Sequence, residues 1–141
     1  IAAPGFTRGK ASPKPVELLD LYPTLADLCG LEPPKNLEGA SLRPLLNNPS
    51  DPSWKKPAVT QIWHRHNAWG YSLRTERYRY TEWLRGKAGR ELYDHSVDQG
   101  EVTNLAENPK YKKLVADLSS QLKPFFQLPK EKRLAPPKKK K

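Results

Sequence analysis

The sequence predicts an α/β chain, built as a small antiparallel sheet of about four strands covered by a C-terminal helix. Three observations predict it. Between residues 68 and 83, Trp69, Tyr71 and Leu73 alternate with Gly70, Ser72 and Arg74, and Tyr78 and Tyr80 then alternate with Arg77, Arg79 and Thr81. That is the period of two of half-buried strands, carried by strand-favouring aromatic residues. Tyr111, Leu114, Val115, Leu118, Leu122 and Phe125 recur at helical spacing and form one apolar stripe. A lone hairpin is only marginally stable, so its apolar face needs further strands or such a helix.

Ile1-Ala2-Ala3-Pro4-Gly5 suggests a strand end running into a turn, followed by a polar loop from Thr7 to Pro15. Residues Val16 to Gly30 are helical in pattern, with Leu18, Leu21, Leu25 and Leu28 on one side. Proline is tolerated only near a helix start, so Pro23 predicts a break near Asp20, whose carboxylate is placed to cap. Gly30 is placed to end the helix in the left-handed conformation.

Leu31 to Pro57 is a long connection holding six prolines, with a short helix expected at Ser41–Leu46. Ala58–Trp63 and Arg90–Asp94 read as the strands before and after the hairpin. Thr75 and Glu76 leave room only for a tight connection, and no Asn-Gly or Asp-Gly sets the turn type, so the register stays open. Asp94 to Leu105 is a turn-rich return. Asn108-Pro109 supplies a helix cap and a proline at the first helical position. Pro124 breaks the last turn, and residues 129–141 show no periodicity.

The chain has 141 residues and a formal charge of +10, which invites a nucleic-acid reading. The charge is unevenly placed: residues 130–141 carry a net +6 and the remainder +4. Most of the excess thus sits in a Pro-Lys tail too poor in apolar residues to fold. Arg74, Arg77 and Arg79 interleave with aromatics, as in a single-strand binding platform. That use would expose Tyr78 and Tyr80, which the module needs for its core. We therefore expect the arginines to stack on aromatic faces and to pair with Glu76, Glu82 and Glu91. No apolar run is long enough to span a membrane. With no Met anywhere and Ile1 at its start, the chain is expected to be a fragment.

Candidate chemistry is sparse. His64 and His66 alternate around Arg65, so both would project from one face of an extended segment. Two histidines begin a zinc site but do not complete one, and His95 is the only other histidine. A solvated loop and a substrate contact remain the alternatives. The single cysteine, Cys29, excludes an internal disulfide, and its place among apolar helical residues suggests a small core residue. Gly-rich phosphate loops, Gly-x-Ser-x-Gly and His-Glu-x-x-His are all absent.

Gly70-Tyr71-Ser72-Leu73-Arg74-Thr75, Tyr78-Arg79-Tyr80-Thr81-Glu82-Trp83 and Glu91-Leu92-Tyr93-Asp94 resemble the C-terminal subdomain of type I sulfatases. The iduronate-2-sulfatase-like branch is the most similar. Asp20-Leu21-Tyr22-Pro23-Thr24-Leu25, Asp98, Gly100-Glu101 and Asn104-Leu105-Ala106 fit the same pattern, while Asp98-Gln99 departs from the usual Asp-Pro. The resemblance covers roughly Ile1 to Phe126.

This resemblance implies the C-terminal part of an alkaline-phosphatase-like sulfatase fold. Residues 1–30 would be the tail end of the catalytic domain, 31–57 the connection, 58–128 the subdomain and 129–141 a disordered tail. It implies a sulfuric-ester hydrolase acting on a sulfated carbohydrate such as a 2-sulfated uronate, in the periplasm or secreted. Its calcium ion and formylglycine would both lie outside this fragment, because Cys29-Gly30-Leu31-Glu32-Pro33 does not match the Cys-x-Pro-x-Arg signature. No catalytic residue is expected here. Gln61, His64, Arg65 and His66 would face the cleft, where a planar guanidinium suits a carboxylated or sulfated sugar. The expected partners are the missing catalytic domain and the sulfated carbohydrate, with no membrane and no nucleic acid. A basic nucleic-acid module and a free-standing interaction domain are the competing classes.

Overall fold

The computed structural model describes residues 1–6, 9–64 and 68–127. The alternating stretches form β1 (Ala58–His64), β2 (Ala68–Arg74), β3 (Tyr78–Trp83) and β4 (Arg90–Asp94). They make one antiparallel sheet in the order β1-β2-β3-β4. A single row fixes the register that the turn chemistry left open. Val59, Leu73, Tyr80 and Leu92 stand opposite one another across all four strands, and the last three are fully buried. A slip of one residue would turn this row to the other face. The β2–β3 turn closes where Thr75 N donates to Tyr78 O and Tyr78 N to Thr75 Oγ1, each at 2.9 Å.

Helix α3 (Lys112–Leu122) lays Leu118 and Leu122 on this row, with Ala106 beside them. Its start follows from sequence: Asn108 Oδ1 accepts from Lys110 N at 3.0 Å, and Pro109 needs no hydrogen-bond acceptor there. Past Leu122 the chain tightens into a 3-10 turn, Lys123–Gln127, around Pro124. The return segment is held by its own polar residues. Asn104 Oδ1 accepts from Leu92 N and Ala106 N, and its Nδ2 donates to Arg90 O, all at 3.0 Å, which satisfies the outer edge of β4. Asp98 accepts from Val102 N and Thr103 N.

Before the sheet, α1 (Leu21–Leu28) follows a 3-10 turn at Leu18–Asp20. It ends on Gly30 at φ +66°, with Leu31 N donating to Ala26 O and Gly30 N to Asp27 O. Helix α2 (Arg43–Asn47) anchors the connection through Leu42, Leu45 and Trp54, which form a small second core.

Three expectations are corrected. Ile1–Ala3 is not in a strand, and Ile1 is exposed. Asp20 does not cap α1 with its side chain. It is completely buried and accepts from Glu17 N (2.8 Å), Ala40 N (2.9 Å) and Lys56 Nζ (2.5 Å), so one carboxylate ties three segments together. Cys29 is exposed rather than in the core, because among the described residues nothing covers the leucines on the apolar side of α1. Leu18, Leu21 and Leu25 are 85, 39 and 59 % exposed.

Candidate functional site

β1 is an edge strand, and its start is fixed from outside the sheet. Glu17 Oε1 accepts from Val59 N at 2.9 Å, while Lys56 Nζ bridges Glu17 and Asp20. Burial opposes charge on Asp20, but Lys56 and the two backbone donors outweigh it and hold the carboxyl below its ordinary value. Lys56 is likewise opposed by burial and held above its ordinary value by the two carboxylates.

Beyond Val59, the side chains of Gln61 and Trp63 alternate onto the α3 side, facing Tyr71 and Trp69 in register. Gln61 is exposed and donates from Nε2 to the Tyr71 hydroxyl at 3.0 Å. Phe126 packs edge-on against Tyr71 with ring centres 4.8 Å apart. Trp63, 55 % exposed, meets half-buried Trp69 edge-to-face at 4.6 Å. His64 closes β1. Its side chain, and both Arg65 and His66, lie outside the described residues.

The arginines of the hairpin have different partners from those expected. Arg77 donates to Asp94 through Nε (2.9 Å) and Nη2 (2.6 Å) and lies 4.9 Å over the Tyr78 ring. These bonds from Arg77, with two more from Ser96, hold the buried Asp94 carboxyl well below the usual carboxylate range. Arg79 Nε lies 2.5 Å from Glu101 Oε1, off the hydrogen-bond line, and His95 Nε2 meets the same oxygen at 2.7 Å. Glu76 instead pairs with Lys14, Glu82 accepts from Tyr80 and Glu91 from Trp83. Strand alternation alone could not reveal these pairs, since Asp94 and Glu101 reach the arginines through register and a tight return.

Tyr80, fully buried, has its phenol pushed up by burial and by Glu82, so it is unavailable as a stacking surface for bases. Among the described residues no group of three or more His, Cys, Asp or Glu side chains is placed to hold a metal ion. None of the helices described is long and apolar enough to cross a membrane.

Residues 3–127 match the family described as N-sulphoglucosamine sulphohydrolase, C-terminal. The chain belongs to this sulfatase family. Its sulfatase relatives include a Bacteroides thetaiotaomicron Δ4,5-hexuronate-2-O-sulfatase, 40 % identical over 126 residues, which cover 82 % of this chain and 25 % of the relative. Rattus norvegicus arylsulfatase K is 33 % identical over 135 residues, 90 % of this chain and 24 % of its own length. Among solved structures, a protein in complex with its substrate D-glucosamine-2-N,6-O-disulfate superposes with a TM-score of 0.66 at 27 % identity, covering 75 % of this chain and 23 % of that one. The sulfatase chain thus spans about a quarter of the length of these relatives. Its four-stranded sheet and covering helix are the C-terminal part of their alkaline-phosphatase-like fold.

Proposed function

We propose that this chain is the C-terminal part of a sulfuric-ester hydrolase acting on a sulfated carbohydrate, with a 2-sulfated uronate as the favoured substrate. The observation that carries the reading is the 40 % identity to a hexuronate-2-O-sulfatase over 126 residues. In this reading the chain shapes the enzyme and another domain does the chemistry. The aliphatic face of Leu18, Leu21 and Leu25 packs on the catalytic domain, and Gln61, His64, Arg65 and His66 rim its cleft. A bare apolar face of this kind supports a module built to lean on something larger over a free-standing one. Calcium and a formylglycine supply the sulfate-ester chemistry from residues outside this chain, and no step of the reaction is assigned to the residues described. A periplasmic or secreted location belongs to the same proposal.

The test is sulfate release by the full-length protein from an unsaturated 2-sulfated uronate disaccharide, compared with its N-sulfated and 6-sulfated counterparts. Release from the 2-sulfated compound alone is expected. Preferential release from the N-sulfated compound would overturn the substrate assignment, and no release from any would overturn the enzyme class.

A further inference from the structure

Among the described residues, two exposed surfaces rich in apolar side chains differ in their chemistry. The α1 surface is aliphatic: Leu18, Leu21 and Leu25 with Tyr22. The outer end of the β1–β2 pair is aromatic and polar. There Gln61, Trp63, Trp69 and Tyr71 form a two-by-two block, because Gln61 stands opposite Tyr71 and Trp63 opposite Trp69. All four lie on the α3 side of the sheet. Phe126, just past α3, covers Tyr71, and the tryptophan pair lies one row further out.

The block has the parts of a pyranose platform. Trp69 meets Trp63 edge-to-face at 4.6 Å and an interplanar angle of 71°, fixing the indole that remains 55 % exposed. An indole face carries negative quadrupole density, which attracts the C–H groups on the apolar side of a sugar ring. Beside it, the exposed Gln61 amide spends one N–H on the Tyr71 hydroxyl, and its oxygen and second N–H suit ring hydroxyls. None of these four side chains is charged, so what the block itself offers is a face for the sugar ring.

We propose that Trp63, braced by Trp69 and flanked by Gln61, stacks a sugar ring of an oligosaccharide. This would be a ring other than the one whose ester is cleaved. The inference rests on the carbohydrate reading above and adds an extended substrate to it. Domain packing is the competing use of an exposed indole. The α1 face suits that use better, because three of its four exposed side chains are leucines.

Two measurements on the full-length protein test it. The first is calorimetric binding of an unsulfated heparosan hexasaccharide, a probe whose weak charge keeps the lysine tail from dominating. Saturable binding is expected, weakened about tenfold by Trp63→Ala and largely kept by Trp63→Phe, the scale of one aromatic contact. Absence of binding, or equal binding by Trp63→Ala, overturns the proposal. The second is hydrolysis of a sulfated hexasaccharide against an aryl sulfate. Trp63→Ala should raise KM for the hexasaccharide about tenfold more than for the aryl sulfate, with kcat changing less than KM. Equal losses on both substrates, with a lowered Tm, would assign Trp63 to domain packing and overturn the stacking. A protein that binds heparosan through Trp63 yet releases no sulfate refutes the sulfatase reading alone. One that releases sulfate with no effect of Trp63→Ala refutes the stacking alone.

Discussion

Arg74 and Arg79 stand directly opposite one another on β2 and β3. Sheets favour opposite charges at such positions. Arg79 has Glu101 beside it, whereas Arg74 Nη1 is sealed from solvent with no acceptor among the described residues. Burial, and then the neighbouring Arg79, lower the Arg74 guanidinium from its ordinary value, and the charge of Glu101 only partly opposes them. A buried cation whose penalties outweigh its one opposite charge contributes little to the stability of this chain. Arg74→Met, which keeps the stem and removes the charge, should leave Tm unchanged or raise it by up to about 5 °C. Arg79→Met removes the guanidinium from Glu101 and leaves that carboxylate to His95, which should lower it. A clear fall in Tm for Arg74→Met would refute this account.

Asp94 sets the acid limit of the fold. Its carboxyl ionises below the ordinary 3.8 because Arg77, and then Ser96, bond the charged form. As pH falls through 3.8 the unfolded chain takes up protons that the folded chain refuses, so stability is full above about pH 5 and declines below. Asp20 adds to the same limb. At the alkaline end, Lys56 is raised above 10.5, and its contribution is lost as pH climbs beyond that value. Asp94→Asn should lower stability at pH 7 and flatten the acid limb. Urea titrations from pH 3 to 7 check it, and a variant with an unchanged acid slope would contradict it.

Tyr80 and Glu82 are a buried pair on one face of β3, with the phenol donating to Glu82 Oε1 at 2.8 Å. Tyr80→Phe keeps the ring and strips the carboxylate of its donor, at a cost of about 1–3 kcal/mol. Replacing both, as Tyr80→Phe with Glu82→Leu, should recover much of that loss. Denaturant midpoints of the single and double variants measure the coupling. Additive losses would show that the hydrogen bond is not what holds Glu82.

The elements that periodicity could reach were legible. Trp69–Leu73 and Tyr78–Tyr80 gave the hairpin, and the Leu114–Leu122 stripe gave the helix, because each encodes one buried face. The register was not, since it depends on Leu73, Tyr80 and Leu92 meeting across three strands. Asp20 looked like a cap because capping is the local use of aspartate before a helix. It does accept from Glu17 N three residues before it, but its other partners, Ala40 and Lys56, are 20 and 36 residues away. Cys29 looked like core because an apolar helix face implies a partner, and among the described residues none covers that face of α1. At the outer end of β1 and β2, the sequence reading singled out Gln61 but not the packing of Trp63 on Trp69. Both share the parity of Gln61 and Tyr71, a signal that becomes readable only once the register is known.

The bare face of α1 makes a prediction with opposite outcomes in two contexts. Leu18 and Leu25 are more than half exposed, so Leu18→Glu with Leu25→Glu should change the stability of this chain by less than about 1 kcal/mol and reduce its self-association. In the full-length protein the same pair would place two carboxylates in an apolar contact, lowering Tm and exposing the connection to protease. Thermal melts and limited proteolysis of both forms decide the matter. An unaffected full-length protein would remove α1 from the interface.

Gly39 marks where the connection crosses the turn before α1. A Cβ built there would come 2.0 Å from the carbonyl oxygen of Leu19 and 2.5 Å from its carbon, both backbone atoms with no rotamer to yield. Gly39→Ala must therefore push the connection outward, and Ala40 N, the next residue, would leave the Asp20 carboxylate. Losing that donor removes part of what keeps Asp20 ionised in its buried site. The expected cost is about 1–3 kcal/mol of stability, the range for overpacking. The acid limb should also become shallower, because the Asp20 carboxyl rises toward its ordinary value. Asn36→Ala, on the exposed part of the same connection, is the control and should be silent in both measurements.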